Sequence, residues 1–554
     1  MTPKAALRKL ESLRLNLGAE TAAEKVAAFR VLARGRLASA RDVLRLHEAA
    51  CFARAYPGDA RVLRSAEAIL RTFHRRADLM RHAEALASSG IAGTAIHYRF
   101  FWSTARWLAA RFPRRLVLDW SSGEFDDRLT AAWPLLLTPP EAEAVKRADL
   151  APRVAIERLR SRSETDAEFL LRRLEELPGG ERVREATHDA LDPAYRLEGA
   201  REPSRTSARL VGAPVVLRSS PPVRGRPDLH RALRRPPREV RDLPPREGRA
   251  IVHLAREAMV TRSRDLDAFA QGDPRDVRIV DDGDGLSFAL IGVVPERRLF
   301  LPAVYGALTL RNGVPIGYVQ IDVLFRNAEM SYNTFATYRG AEAGFVFSRL
   351  LAVTRHLFGV SGFSIEPYQL GRGNQEGIES GAWWFYAHCG FRPRVAAVAR
   401  LAARELARKR RNPAYRSSAA MLGRLAEAHL HWPARSADET SVTPIDRIGL
   451  AIAPHARQKD AAARAAHRFG VRSLAGWTSD EKLWWNRWAP LLAAIPGVER
   501  WPQHDRAATV RVVRTKASRR EGDYARLFDA HPRLRHAILA LARTIDGPDA
   551  GRVV

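Results

Sequence analysis

The loop from Arg339 to Gly344 could bind an anion. It reads Arg-Gly-Ala-Glu-Ala-Gly and stands at the start of a stretch, Ala341 to Phe358, whose apolar residues recur at three- and four-residue steps. That spacing predicts a helix. The first turn of a helix offers unpaired backbone N–H groups and the positive end of the helix dipole, and both favour a negative ligand. Glu342 opposes such binding, because its carboxylate repels an anion and its side chain obstructs close approach to the backbone.

Three extended segments precede this loop. The first is Tyr305 to Leu310, and Asn312-Gly313 after it is a strong signal for a tight hairpin turn. The second segment alternates in polarity, as a half-buried strand requires. Arg326-Asn327 can turn the chain again, and Glu329 to Tyr338 is the third extended segment. The alternation places Val319, Ile321, Val323 and Phe325 on one face and Tyr318, Gln320 and Asp322 on the other.

The elements after the predicted helix are shorter. Gly359 ends the helix, and Gly362 to Pro367 is predicted to form a short strand. A second helix contains Ala382 to Ala387 and ends at Cys389-Gly390-Phe391. The predicted order is therefore an antiparallel meander, a helix, a strand, a helix and an aromatic strand.

This order, together with two motifs, resembles the GNAT acyltransferase family over about residues 251–395. In that family a loop of the form (Gln/Arg)-x-x-Gly-x-(Gly/Ala) binds the pyrophosphate of acetyl-CoA. Arg339 and Gly344 match its first and last positions, whereas Glu342 stands where the family has glycine. The resemblance implies that acetyl-CoA, or another acyl-CoA, is bound by Arg339, Gly340, Ala341, Ala343 and Gly344.

The second motif surrounds Tyr386. The segment 379–391 looks like the family pattern Asn-x-x-Ala-x-x-x-Tyr-x-x-x-Gly-Phe, with Ala382, Tyr386, Gly390 and Phe391 at matching offsets. Glu379 replaces the asparagine. In many members the matching tyrosine protonates the departing CoA thiolate, so the resemblance implies that Tyr386 is a general acid. The alternative is an aromatic packing residue in a buried helix.

Two glutamates are candidates for the general base. Glu329 lies on the third predicted strand, and Glu366 lies at the end of the fourth. They are the carboxylates nearest to the cleft that the resemblance implies, and a base must reach the acceptor amine directly or through one water. The alternative for each is a carboxylate on the sheet surface, paired with arginine.

Composition suggests several domains and a basic surface. The chain has 554 residues, is 46% hydrophobic and carries a formal net charge of +29. This length suggests three or four domains, at about 100–200 residues each. Only eight of the 91 basic residues are lysines. A chain rich in arginine and alanine is typical of a GC-rich genome, which favours a solvated basic surface over a dedicated site for a polyanion.

Four regions follow from the patterns. Residues 1–200 are predicted to form an α-helical domain, and residues 251–395 the GNAT-like domain. Residues 201–250 contain 13 arginines and nine prolines, a composition typical of an extended linker or of an arm that contacts phosphates. Residues 396–554 are predicted to be helical, with Trp484, Trp485 and Trp488 packed on one side of a helix. The fold class is α+β, with a central mixed sheet between mostly helical regions.

The sequence indicates neither a metal site nor a membrane segment. Cys51 and Cys389 lie in different predicted domains and form no ligand pattern. His74, His82 and His97 have no metal-ligand spacing, which favours core or surface roles. The N-terminus lacks the apolar core of a signal peptide, and no run approaches the ~20 apolar residues of a membrane span. We therefore expect a cytoplasmic protein without a metal.

Three functions remain open at this point. The first is transfer of an acyl group from acyl-CoA to an amine acceptor. The second is an aminoacyl-tRNA-dependent transferase of GNAT-like fold, for which the basic charge suits a tRNA donor and Glu342 meets no pyrophosphate. The third is a non-catalytic GNAT-like binding or scaffold protein. The sequence does not identify the acceptor, the oligomeric state or the roles of the helical regions.

Overall fold

The computed structural model describes residues 1–121, 123–433 and 442–545. The chain divides into two compact units. The first unit comprises Met1–Pro222, Ala250–Gln271 and Leu310–Ile316, and the second comprises Val223–Arg249, Gly272–Thr309 and Gly317–Val554. The strongly helical N-terminal region thus belongs to one unit, and most of the predicted GNAT-like region belongs to the other together with the C-terminal helices.

The first unit contains a series of helices and a small three-stranded sheet. Its helices are numbered along the chain: α1 (Pro3–Ser12), α2 (Ala22–Arg34), α3 (Ala40–Ala55), α4 (Ala60–Thr72), α5 (Ala77–Arg81), α6 (Trp102–Arg111), α7 (Gly123–Leu136), α8 (Pro139–Arg147), α9 (Pro152–Leu159), α10 (Asp166–Glu175) and α11 (Glu181–Leu191). The strands are β1 (Ile96–Tyr98), β2 (Leu116–Leu118) and β3 (Tyr195–Leu197), in the spatial order β1-β3-β2 with antiparallel pairing. Apolar residues of α6 to α11 and of these strands form one continuous core.

A nine-stranded mixed sheet organises the second unit, in the order β11-β12-β10-β9-β8-β7-β6-β5-β4. Its strands are β4 (Glu239–Asp242), β5 (Gly272–Gly283), β6 (Leu286–Val293), β7 (Ala303–Arg311), β8 (Val314–Leu324), β9 (Asn327–Thr334), β10 (Gly362–Ile365), β11 (Arg392–Pro393) and β12 (Leu430–Trp432). β9 and β10 pair in parallel. The parallel pair requires a crossover connection, and a helix supplies it.

The remaining helices are those before, between and after these strands. They are α12 (Leu229–Arg234), α13 (Pro245–Val260), α14 (Asp267–Ala270), α15 (Ala343–Phe358), α16 (Pro367–Leu370), α17 (Gln375–Ser380), α18 (Ala382–His388), α19 (Ala396–Arg411), α20 (Ala419–Leu425), α21 (Ile445–Ala456), α22 (Ala461–Phe469), α23 (Ser479–Ala494), α24 (Gln503–Lys516), α25 (Glu521–Asp529) and α26 (Pro532–Arg543). No helix of the described residues is long and apolar enough to cross a bilayer. The α+β class predicted from the sequence is confirmed.

The turn predicted at Asn312-Gly313 forms in place, whereas the next one falls at Phe325 and Arg326 and leaves Asn327 as the first residue of β9. Asn312 and Gly313 both have positive φ, 51° and 75°, as the tight turn of a two-residue hairpin requires. Asp284 and Gly285, which connect β5 to β6, turn in the same way, with φ 52° and 76°. Gly359 ends α15 in the left-handed conformation, which glycine adopts without steric cost.

The arginine- and proline-rich segment contains regular structure that its composition does not predict. α12 lies in it, and β4 pairs antiparallel with β5. Arg349 of α15 explains part of this order. Its buried guanidinium bonds Asp282 at 2.7 Å and also donates to the carbonyls of Ala232 and Arg235. These partners come from distant parts of the chain, so local composition does not reveal them.

The C-terminal tryptophans are core residues, as predicted. Trp484, Trp485 and Trp488 of α23 are fully buried, and the indole N–H of Trp484 donates to the carbonyl of Pro295 at 3.1 Å. They therefore pack this helix into the second unit.

Candidate functional site

One face of the large sheet carries a set of partly exposed polar side chains. Side chains alternate between the two faces of a strand, and the β8–β9 register pairs Asp322 with Glu329 and Gln320 with Ser331. Val319, Ile321 and Val323 alternate with Gln320 and Asp322 along β8 and are buried on the opposite face of the sheet. We call this set the polar face, and its members are Gln320, Asp322, Glu329, Ser331, Glu366 and His429.

Contacts from two further segments complete the polar face. Glu366 follows β10 and accepts a hydrogen bond from the Ser331 hydroxyl, 3.3 Å from Oγ to Oε1. His429 precedes β12, and its Nε2 lies 3.3 Å from Oε2 of Glu329. The Glu329 and His429 side chains are 26% and 33% exposed to solvent, so a solute can reach this pair.

Three of these side chains, Asp322, Glu329 and Glu366, form what we call the carboxylate cluster. Burial, followed by the charge of Glu329, raises the pKa of Asp322 to about 7, although Gln320 donates a hydrogen bond to it. Burial and the Glu329 charge also raise the pKa of Glu366. Neighbouring like charges disfavour full ionisation, so Asp322 binds a proton near neutral pH.

The carboxylate cluster has the properties of a general base for an amine. Its negative charge attracts an ammonium group, and a carboxylate with a pKa near 7 accepts a proton efficiently at neutral pH. The two predicted bases, Glu329 and Glu366, are brought together here. Alternation places Asp322 on a strand face, and its pairing with Glu329 follows from counting outward from the turn at Arg326.

His429 has no comparable signal in the sequence. It lies 100 positions after Glu329, and only the return of the chain through β12 brings the two together. A lone histidine at such a distance is indistinguishable from a surface residue before folding.

β9 and β10 separate next to the carboxylate cluster. Their parallel pairing extends from Asn327 to Glu329 on β9, whereas β9 itself continues to Thr334. Beyond the paired part, side chains bond its backbone: the Tyr332 carbonyl accepts from Gln369 Nε2 at 3.0 Å and from the Tyr386 hydroxyl at 3.3 Å. The separated strands therefore leave a backbone edge that binds polar groups.

Tyr386 lies in an aromatic cluster beside this edge. Its ring contacts those of Phe347, Phe385 and Phe391. Burial raises the pKa of its hydroxyl well above the ordinary value, so the hydroxyl keeps its proton at neutral pH. The structure does not bring Tyr386 into direct contact with Glu329 or Glu366. The link runs through β9, where Ser331 bonds Glu366 and the next residue bonds Tyr386.

The predicted cofactor loop has its glycine turn but also two obstacles. Gly340 has φ 78°, and α15 begins at Ala343 as the predicted anion site requires. However, Glu342 is buried at the N-cap of α15, with 2% of its surface exposed. A Cβ placed on Gly344 would lie 3.3 Å from the carbonyl oxygen of Gly225 and 3.5 Å from Pro227.

These obstacles bear on acetyl-CoA. A buried glutamate stands at the N-cap and a backbone carbonyl oxygen lies beside Gly344, where a pyrophosphate would need open access to the first N–H groups of the helix. Arg339 offers little compensation, because its guanidinium bonds the Thr334 carbonyl and Glu376, at 3.1 and 2.9 Å. In this arrangement the residues do not fit a pyrophosphate. The assignment of Ala341 and the neighbouring loop residues to cofactor binding stays a prediction.

No group of three or more His, Cys, Asp or Glu side chains that could hold a metal ion is found among residues 1–121, 123–433 and 442–545. No family model matches the chain, and neither a curated protein nor a solved structure matches it.

Proposed function

We propose that the chain is a GNAT-like N-acyltransferase whose carboxylate cluster binds and deprotonates an amine acceptor. The observation that carries the proposal is the position of Asp322, Glu329 and Glu366 beside the separation of β9 and β10. An accessible acidic site stands next to a backbone edge there, so an amine and an extended acyl donor could meet.

The transfer would proceed in one displacement. The acceptor binds to the carboxylate cluster as an ammonium ion, and Asp322 takes one proton directly or through a water. The amine nitrogen then bonds the acyl carbon, the bond from that carbon to the leaving atom breaks, and the leaving atom receives the proton of the Tyr386 hydroxyl, which water then replaces. A second proton leaves the nitrogen to the cluster or to water, which gives the neutral amide.

Two observations favour aminoacyl-tRNA over acyl-CoA as the donor. The loop before α15 does not fit a pyrophosphate, whereas an aminoacyl ester brings none to that position. The raised pKa of Tyr386 also matters, because a phenol above its usual pKa of about 10 is a poor acid for a thiolate of pKa about 8.5. A strongly basic alkoxide, the leaving group of an ester, would accept that proton readily.

Transfer of a radioactive acyl group tests the function and the donor together. The full-length protein is incubated with spermidine or a peptide amine and with either labelled acetyl-CoA or tRNA charged with labelled amino acids. We expect labelled amide from the charged tRNA and none from acetyl-CoA. The Glu342→Gly variant is assayed in parallel, since removal of this carboxylate should admit acetyl-CoA if only the side chain excludes it.

Each outcome decides a separate point. Transfer from acetyl-CoA by the wild type would show that the loop accepts a pyrophosphate and would replace tRNA as the donor. No transfer from either donor would refute the acyltransferase and leave the non-catalytic binding protein.

A Tyr386→Phe variant tests the general acid. Removal of the hydroxyl should lower kcat with an ester donor by about 100-fold. The stability loss should be only about 1 kcal/mol, because Gln369 still donates to the Tyr332 carbonyl. Steady-state transfer rates and urea unfolding measure the two effects. An unchanged kcat would assign Tyr386 to packing alone.

A further inference from the structure

The small sheet of the first unit presents an open, polar face. His97, Arg196 and Val117 stand in one row across its three strands, because β1 pairs His97 with Arg196 and β2 pairs Val117 with the same arginine. All three are partly exposed. Their neighbours on the opposite face are buried in the core, and these are Ile96, Leu116, Leu118, Tyr195 and Leu197.

This row forms part of the lining of a groove of about 700 Å³. The groove is also lined by Arg114, by Arg153 of α9 and by residues 160 and 162–166, which connect α9 with the start of α10. We call it the arginine groove. A volume of this size accommodates a ligand as large as a nucleotide.

His97 is held with one nitrogen left for a ligand. Its Nδ1 lies 2.8 Å from Oδ2 of Asp119, whose Oδ1 accepts from the backbone N–H of Ser121. The hydrogen bond from His97 lowers the pKa of the Asp119 carboxyl, so the carboxylate stays ionised and fixes the ring. The nitrogen that remains is Nε2, on a side chain that lines the groove.

The acidic side chains of the groove are already satisfied by the protein. Asp166 accepts hydrogen bonds from the Leu118 N–H and from the indole N–H of Trp120, at 2.9 and 2.8 Å. Glu157 binds Arg160 through both oxygens, at 2.6 and 2.9 Å. Glu164 likewise binds Arg172, at 2.8 Å. These carboxylates are therefore matched with donors and do not attract a cationic ligand.

Three arginines of the groove are not matched in this way. Arg114, Arg153 and Arg162 are exposed, and none has a carboxylate partner within the described part of the chain. The guanidinium group has a planar array of donors that suits phosphate oxygens. Three such groups around one groove favour a ligand with more than one negative charge.

We propose that the arginine groove binds nucleotide phosphates, either of a free nucleotide or of a single strand. The free arginines and His97 Nε2 would bind the phosphate oxygens. Val117 and the half-buried Trp120 offer apolar surface for a base or sugar. This site is independent of the carboxylate cluster and of the proposed acyl transfer.

Fluorescence anisotropy of the full-length protein tests this proposal. The probe is a short fluorescein-labelled single-stranded RNA, and adenosine monophosphate is the competitor. The groove variant is Arg153→Glu with Arg162→Glu. The matched control is Arg158→Glu with Arg182→Glu, which makes the same charge change at exposed arginines of α9 and α11 outside the groove. Circular dichroism checks that both variants fold.

We expect the groove variant to weaken RNA binding at least about tenfold and to lower the slope of log affinity against log salt by about two, since two phosphate contacts are lost. The control should change affinity far less. Displacement by adenosine monophosphate would identify a free nucleotide as a ligand, and resistance to it would identify a strand. Equal losses in both variants, or no binding of the labelled RNA, would overturn the proposal.

Discussion

The polar face of the large sheet and the arginine groove of the small sheet are built alike but carry opposite charge. In both, alternation along short strands leaves every second side chain facing outward. On the large sheet this places Asp322 opposite Glu329, so like charges meet. On the small sheet it places His97 beside Arg196. Sheet geometry therefore positions the side chains of both sites, whereas the charge of those side chains selects the ligand.

The two sites also differ in how their charges are satisfied. In the arginine groove the carboxylates are held by protein donors, and Arg114, Arg153 and Arg162 have no carboxylate partner among the described residues. On the polar face the carboxylates face one another, and burial with mutual repulsion raises the pKa of Asp322 to about 7. A proton-accepting site and an anion-binding site are the respective consequences.

Removal of two carboxylates from the cluster should reduce the rate of acyl transfer more than any other change proposed here. A variant with Asp322→Asn and Glu329→Gln should lose acyl transfer by about 1,000-fold, because Glu366 is then the one carboxylate of the cluster left to accept a proton. Radioactive transfer with charged tRNA measures this loss. Asp446→Asn is the matched control, since it removes an exposed carboxylate of α21. A variant that retained its rate would remove the carboxylate cluster from the mechanism.

A smaller effect is expected when spermidine is offered to variants of both sites. Spermidine affinity should fall about tenfold in the same double carboxylate variant, because charge-assisted hydrogen bonds are lost. It should stay constant in the variant with Arg153→Glu and Arg162→Glu. Isothermal titration calorimetry measures both affinities. Equal responses of the two variants would mean that net charge, rather than either site, governs binding.

The smallest effect concerns stability and pH. The carboxyl of Asp322 has a pKa of about 7 in the folded chain and about 3.9 when unfolded. Below pH 4 both states are protonated, so the site costs no stability. As the pH rises towards 7 the unfolded chain releases its proton first, and stability falls. Asp322→Asn should therefore be more stable than wild type at pH 8, by about 1–3 kcal/mol.

Thermal unfolding of the two proteins measures this difference. The variant should melt a few degrees higher at pH 8, and the gap should close as the pH falls to 4. An equal gap at both pH values would show that packing, rather than ionisation of Asp322, causes it.

Much of the candidate site followed from local patterns. Alternation predicted the strands, and Asn312-Gly313 predicted a turn that both residues form with positive φ. Glu329 and Glu366 were predicted as bases and lie together on the polar face. The regular structure within residues 201–250 was not predicted, because it depends on partners such as Arg349 that are remote in sequence.

Local sequence patterns are sufficient to predict β7 to β10 with α15 between them, the turn at Asn312-Gly313, the α+β class and the buried side of α23. These features depend on residues that are close together along the chain, where spacing and backbone preference act directly. Local patterns do not predict β12, which lies within the predicted helical region 396–554 and pairs with β10. Three features depend on the tertiary structure. His429 contacts Glu329, Glu342 is buried at the start of α15, and His97 lines the arginine groove. Charge, burial and pKa depend on neighbours brought together by packing, and no local pattern records them.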